Sequence, residues 1–330
     1  MDVLSDMLSR ARARGALFGH WRLSGPWGLD FDDGEAPLSV HTVLAGELTC
    51  ERAESPAARV RQGDLVLVRG GRYRFVHEPG AAARPVAELL AAGPAPGTPR
   101  TYVLGDGHDT ELLCGAYAFD GGLWPGMLAA LPAVTVVASA GNRPLTTLLA
   151  LLAEEIRSAE PGQQTVLDRL LDLLLVAALR AHWTAPQATA PGWFRALSDP
   201  VAGPALSALH EAPAKSWTVA DLAVQARVSR ATLARRFAAA TGLPPLAYLT
   251  RWRMELAKDA LERGATVASI ARSTGYADEF SFATAFRREV GIAPGRYRAR
   301  RSQPVSSPRS SLPCPIHRVR RPHGQKESPS

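Results

Sequence analysis

The phrase Thr218-Val-Ala-Asp-Leu-Ala returns later in the chain as Thr266-Val-Ala-Ser-Ile-Ala, and the residues beyond it return too. Downstream of the first copy stands Gly242-x-x-Pro245-x-x-Tyr248. Downstream of the second, one residue later in register, stands Gly291-x-x-Pro294-x-x-Tyr297. A repeat constrains a fold more tightly than any single motif, because the same supersecondary unit must form twice. The unit here is a short helix, a tight turn and a second helix ending in aromatic and basic residues. That is the layout of a helix-turn-helix.

In the first copy, Thr218 and Asp221 have the spacing of a capping box. Val219, Leu222, Ala223 and Ala226 come next at intervals of three and four and define an inward apolar face. Val228 is expected to be buried in the turn, and Ser229 to cap the next helix. On that helix Leu233 and Phe237 point inward, which turns Arg230, Ala231, Ala234 and Arg235 outward, with Thr232 and Arg236 at the margins. Small residues and arginines suit close entry into a major groove, where arginine reads guanine edges or holds phosphates. In the second copy Gly275 supplies the left-handed turn and Tyr276 its buried plug. Either Phe280 or Phe282 is buried together with Phe286. Asp278, Glu279, Ser281 and Thr284 face outward, with Arg287 and Arg288 near the helix end. This face is less basic than the first, so the first helix is expected to read bases more strongly. A lone pair of amphipathic helices is a common packing unit; two copies in register, each ending in a basic helix, favour DNA.

Between the copies, Leu246, Leu249, Trp252 or Arg253, Leu256, Ala260 and Leu261 keep helical spacing from Pro245 to about Arg263. About 18 residues at ~1.5 Å each make a strut of roughly 27 Å. Major-groove entries on one face of DNA lie about 34 Å apart. Two recognition helices in successive grooves would let one chain read an asymmetric site.

The charge is divided along the chain. Its net value is +7, but residues 1–194 are net −5, residues 195–300 net +7 and residues 301–330 net +5. Positive charge concentrated on the repeat is the electrostatic footprint of a nucleic-acid-binding half. With 330 residues, two domains and a tail are expected: 1–182, a linker over 183–198, 199–300, and a disordered basic tail over 301–330. Cys50, Cys114 and Cys314 form neither a disulfide framework nor a metal spacing, and read as reduced cytoplasmic thiols. Arg10, Arg12 and Arg14 interrupt any signal-peptide core. The apolar run Leu170–Leu179 contains Asp172 and is too short to span a membrane.

The front half alternates short β-type runs with Gly, Pro and Asp: Leu38–Leu44, Leu48–Glu51, Asp64–Val68, Tyr73–His77, Thr101–Leu104 and Leu112–Phe119. This pattern predicts a small β-barrel or sandwich, whose mouth is a natural small-molecule pocket. Trp21, Trp27, Phe75 and Trp124 are apolar lining candidates, with core packing as the plainer role for each. Two helices, Pro144–Ile156 and Thr165–His182, come after the strands. The second is apolar on more than one face. It either packs on the barrel and on a second protomer, forming a dimerisation segment, or is buried within its own domain.

Two resemblances extend this reading. Ser229-x-x-x-Leu233-x-Arg235-x-Phe237, Gly275-Tyr276-x-Asp278-x-x-x-Phe282-x-x-x-Phe286-Arg287-Arg288 and Gly291-x-x-Pro294-x-x-Tyr297-Arg298 together resemble the DNA-binding domain of AraC/XylS regulators. The resemblance implies base contacts from Ala231, Ala234 and Arg235 in the first unit and from Glu279, Phe280 and Thr284 in the second. Thr284 departs from the arginine that many members carry. Upstream, Pro26-Trp27-Gly28, His41-x-Val43-Leu44-x-Gly46-Glu47, Gly63-Asp64-Leu65-Val66-Leu67 and Leu112-Leu113-Cys114-Gly115-x-Tyr117-x-Phe119-Asp120 are similar to the cupin-type sensor domain of one branch of these proteins. Cupin oxygenases hold a metal with His-x-His, Glu and a later His. Here His41 and Glu47 keep their places, but Val43 and Arg74 stand at the other two, and His77 lies three residues beyond.

The expected fold is therefore α+β: an N-terminal cupin-like β-barrel with a helical dimerisation segment, then an all-α domain with two helix-turn-helix units. The expected function is sequence-specific transcriptional regulation tuned by a small-molecule effector near Trp27, His41, Phe75 and His77. No cofactor, metal or catalysis is expected. Partners are double-stranded promoter DNA, the effector, RNA polymerase and a second copy of the chain, with no membrane. The alternatives are a cupin-type metal enzyme tethered to DNA and a ligand-free architectural DNA binder.

Overall fold

The computed structural model describes residues 3–4, 12–14, 19–32, 37–93, 100–107, 109–120, 128, 130–158, 160–185 and 190–302. Trp124, Cys314 and nearly all of the basic tail lie outside these residues.

Twelve described strands make two sheets: β1 (Arg12–Arg14), β2 (Gly19–Leu23), β3 (Gly28–Asp32), β4 (Leu38–Ala45), β5 (Glu47–Glu51), β6 (Ala58–Arg61), β7 (Leu65–Val68), β8 (Arg72–Val76), β9 (Arg84–Pro85), β10 (Arg100–Leu104), β11 (Thr110–Asp120) and β12 (Val134–Val137). The larger sheet runs β10-β2-β11-β4-β7-β12, with β1 also on β11; the smaller runs β6-β5-β8-β3-β9. Neighbours are antiparallel except β10 on β2 and β3 on β9.

Successive side chains of a strand point to opposite faces. In β4, β7 and β11 both faces are covered. Val43, Val66, Val68, Leu112 and Cys114 share a core with Leu29, Phe31, Leu48, Tyr73 and Phe75 of the smaller sheet. Leu38, Val40, Leu65, Leu67 and Leu113 pack on the opposite side, against helices. Burial on two faces explains why Leu65-Val-Leu-Val68 is an unbroken apolar run rather than an alternating one. A short helix, α1 (Val86–Ala92), packs on β3 and β9.

The helical cover is a hairpin of α2 (Arg143–Arg157) and α3 (Gln163–Thr184). Asn142 caps α2 by accepting the Leu145 N–H at 3.2 Å. Leu145, Leu149, Leu152 and Ile156 then bury one face. Along α3, Leu167, Leu170, Leu171, Leu174 and Leu175 are buried. Val166 and Leu173 nevertheless remain 44% and 53% exposed, and Leu151 of α2 is 47% exposed. The hairpin thus carries more apolar surface than its own domain covers.

The stretch expected as a linker, 183–198, is structured at both ends. Trp183 lies within α3, and α4 (Gly192–Leu197) occupies the far end. The Trp183 ring lies edge-on to Trp193 at a centroid distance of 5.6 Å and 5.1 Å from Phe194. Aromatic rings gain more from burial than the intervening Ala, Pro and Thr composition suggests. Trp193 packs against both the hairpin core and the core of the helical half.

That half comprises α5 (Ala202–Glu211), α6 (Val219–Gln225), α7 (Arg230–Thr241), α8 (Pro245–Glu262), α9 (Val267–Ser273), α10 (Glu279–Val290) and α11 (Pro294–Ser302). It has two separate cores. Leu206, Leu209, Leu222, Leu233 and Phe237 build the first, and Ile270, Phe282 and Phe286 the second. The 18-residue α8 serves both, giving Leu249 to one and Met254, Ala257 and Leu261 to the other. Gly192 passes so near the end of α7 that a Cβ there would lie 2.9 Å from the Ala240 carbonyl oxygen. No helix among the described residues is long and apolar enough to cross a membrane.

A candidate nucleic-acid interface

Both recognition helices are fixed by their caps. Thr218 accepts the Asp221 N–H at 3.1 Å while Asp221 accepts the Thr218 N–H at 2.9 Å, the reciprocal capping box. Ser229 starts α7 by accepting the Thr232 N–H at 3.2 Å, and its hydroxyl donates to Thr232 Oγ1. Asp278 starts α10 by accepting the Ser281 N–H at 2.6 Å, and the Ser281 hydroxyl answers toward the Asp278 backbone. These hydrogen bonds hold the Asp278 carboxyl below its ordinary range. Ser229 and Asp278 therefore act first as N-caps, and Thr232 and Ser281 stand three residues inside as their hydrogen-bond partners. Their spacing already showed this for Ser229; for Asp278 the preceding turn hid it.

The outward faces match the repeat. On α7, Arg230, Ala231, Arg235 and Arg236 are exposed, with Thr232 and Ala234 partly covered, opposite buried Leu233 and Phe237. On α10, Glu279, Phe280, Thr284, Arg287 and Arg288 are exposed opposite Phe282, Ala285 and Phe286. The choice between Phe280 and Phe282 is decided: Phe282 is wholly buried, edge-on to Tyr276 at 5.7 Å, and Phe280 is 82% exposed.

Two arginines are partly committed elsewhere. Arg236 donates to Asp199 Oδ2 at 2.8 Å, while Asp199 Oδ1 accepts the Val201 and Ala202 N–H groups at the start of α5. Arg236 thus ties α7 to α5. Arg288 pairs with Glu289 at 3.0 Å, an exposed contact of little energy. Asp199 went unread in the sequence because nothing there links it to α7.

The four effector candidates do not converge. His41 and Phe75 lie inside the core between the sheets. His41 Nε2 is 2.7 Å from the Tyr73 hydroxyl, its Nδ1 has no partner, and its ring meets Phe75 edge-on at 4.7 Å. Burial without a countercharge pushes its pKa down to about 3. His77 is exposed, beyond Trp27, with ring centroids 6.4 Å apart. Trp27 borders an open depression of 470 Å³ with Arg84, Leu104 and Asp106 on its rim. The cupin metal positions also diverge. Glu47 faces solvent and pairs with Arg59, and Arg74 pairs with Glu51 at 3.5 Å. Among the described residues no group of three His, Cys, Asp or Glu side chains could hold a metal ion.

Two helix-turn-helix units on one strut, behind a two-sheet domain, define a two-part protein whose helical half is built to meet nucleic acid. Comparisons agree. A cupin family profile matches residues 2–184, and a helix-turn-helix domain profile matches residues 222–300. A Streptomyces lividans protein named as an AraC-like transcription regulator is 35% identical over 311 residues, 92% of this chain and all of the relative. The transcriptional regulator AlkR of Acinetobacter baylyi is 27% identical, covering 90% of this chain and 99% of its own. The DNA-binding domain of AdpA, a global transcriptional factor solved with a target DNA, is 34% identical, covers 32% of this chain and all of its own, and has a TM-score of 0.30. The chain belongs to the AraC family of transcription regulators: its function is DNA-binding regulation of transcription through the helix-turn-helix half.

Proposed function

We propose that α7 and α10 enter successive major grooves of a promoter and that α7 carries most of the base reading. The observation behind this is the single outward surface of α7, with Arg230 and Arg235 exposed among small residues. Arg235→Ala is expected to weaken binding to a selected duplex by about 1–3 kcal/mol and to relax preference at one base pair. Electrophoretic titration against the selected duplex and single-base variants checks this; an equal loss on scrambled DNA would make Arg235 a phosphate contact. Affinity should fall steeply with salt, because arginines displace counterions from phosphates.

The front domain is inferred to be a cupin-like barrel that senses a small molecule and acts without catalysis in the cytoplasm. The aromatic interior around His41 and the depression beside Trp27 are its two candidate sites. The outward turn of Glu47 and the pairing of Arg74 disfavour the reading as a DNA-tethered cupin enzyme. RNA polymerase is the expected downstream partner. The half-exposed Leu151, Val166 and Leu173 support pairing with a second copy, which would remove from water apolar side chains that the chain's own domain leaves there. Sedimentation of the full chain at micromolar concentration is expected to give a dimer, and Leu173→Glu a monomer; a wild-type monomer would remove this pairing.

A further inference from the structure

The two helix-turn-helix units have separate cores, and α8 is their one covalent link. A single helix is a semi-rigid spacer that fixes the distance between its ends, and the remaining freedom lies in how each unit seats on it. A second contact, away from the helix axis, is needed to fix the angle between them. One exists. Arg253, midway along α8, donates through Nε to the Pro213 carbonyl at 2.7 Å and through Nη2 to the Lys215 carbonyl at 2.9 Å. Both carbonyls belong to the loop between α5 and α6, in the first unit. The other side of the same guanidinium faces the second unit, with its carbon 5.7 Å from the Tyr276 ring centroid.

The two backbones also meet directly there. Gly275, the turn residue of the second unit, has φ of +78°, and a Cβ on it would collide with the Ala214 carbonyl oxygen and lie 2.8 Å from Arg253 Nη2. The loop that receives Arg253 is itself braced. Trp217 Nε1 donates to the Ala212 carbonyl at 2.9 Å, and the Lys215 ammonium sits 3.9 Å above the Trp217 ring. A planar guanidinium holds its donors on separate nitrogens in a fixed fork that matches the two carbonyls, whereas an ammonium presents its three donors from one flexibly tethered atom.

We propose that Arg253 is a positioning residue for DNA reading: it locks the turn of the second unit against the α5–α6 loop of the first and so sets the separation and phase of α7 and α10. This rests on the reading of those two helices as groove-entering elements. Rigidly joined units bind a two-part site as one ligand, with an avidity that depends on matching the spacing of the halves. Loosened units bind more weakly but tolerate more spacings.

The test uses the full-length protein and a duplex recovered by it from random-sequence DNA. Wild type, Arg253→Gln and Arg253→Lys are titrated on that duplex and on versions with one or two base pairs inserted between the halves of the footprint. Wild type should lose about 100-fold on insertion, and Arg253→Gln should bind the original duplex about 10-fold more weakly yet lose only a fewfold more on insertion. Arg253→Lys should fall between. An unchanged insertion penalty in Arg253→Gln would overturn the proposal. A second measurement needs no DNA: the distance between nitroxides at Ala239→Cys on α7 and Glu289→Cys on α10, in a Cys314→Ser background. It should be narrow with Arg253 and broad with Arg253→Gln at unchanged helix content. Equal widths, or a loss of helix content in Arg253→Gln with Arg253→Lys as narrow as wild type, would overturn the lock. Narrow-to-broad behaviour with no insertion penalty in the wild type itself would instead sink the groove reading and leave the lock intact.

Discussion

Phe282→Ala is expected to unfold the second helix-turn-helix unit, at a cost of about 3–5 kcal/mol, while Phe280→Ala, two positions away, leaves stability unchanged. Phe282 is wholly enclosed by Tyr276, Phe286 and the α8 side chains, so its removal leaves a void that the short α9 and α10 cannot close. Phe280 stands in solvent. Its ring is suited to contact a thymine methyl in the major groove, and its loss should weaken DNA binding alone. Urea titration followed by circular dichroism separates the two. Comparable destabilisation by both variants would show that α10 is rotated from the orientation described.

Stability should also fall as pH drops below about 6.5, by as much as ~1.4 kcal/mol per unit of pH from His41 alone. The folded protein holds this imidazole neutral down to about pH 3, whereas the unfolded chain takes up a proton near 6.5. Above that value both states are neutral and the residue adds no pH dependence. Below it, the folded state is progressively disfavoured. The surroundings give a proton no countercharge: Phe31, Tyr73 and Phe75 form the ring contacts, and the polar neighbour, the Tyr73 hydroxyl 2.7 Å from Nε2, is neutral. Urea midpoints between pH 7.5 and 4.5 should slope for wild type and slope less for His41→Gln. Parallel curves would mean that His41 is protonated inside the fold.

Much of the helical half was legible because its signals are local. The repeat announced two equal units, Thr218-x-x-Asp221 announced a capping box, and Pro245 to Leu261 announced the strut; each depends on residues within a few turns. The front half showed several strands by their β-branched and aromatic runs, and Leu38–Ala45 and Leu65–Val68 lie close to where these predicted them. Short strands such as Ala58–Arg61 escaped notice because the alternation of Ala58 and Val60 with two arginines runs for only four residues, too few to stand out from a loop. Strand order was not legible, since the pairing of β2 with both β10 and β11 depends on contacts between distant segments. The same limit hid the Asp199–Arg236 pair and the carbonyls that receive Arg253. Glu47 kept its cupin position in the sequence, yet its side chain turned outward to Arg59, a direction that spacing alone does not give.

The aromatic joint bears on how such a regulator can be taken apart. Severing the chain at 198 would leave Gly192–Leu197 on the wrong fragment, stripping the end of α7 of the close backbone approach of Gly192 and the first core of Ala196. A hybrid with a foreign sensing half should therefore be spliced upstream, near Ala190, and should bring an aromatic partner for Trp193 in place of Trp183. Modularity in this chain ends at a seam of three rings, and any swap has to rebuild that seam.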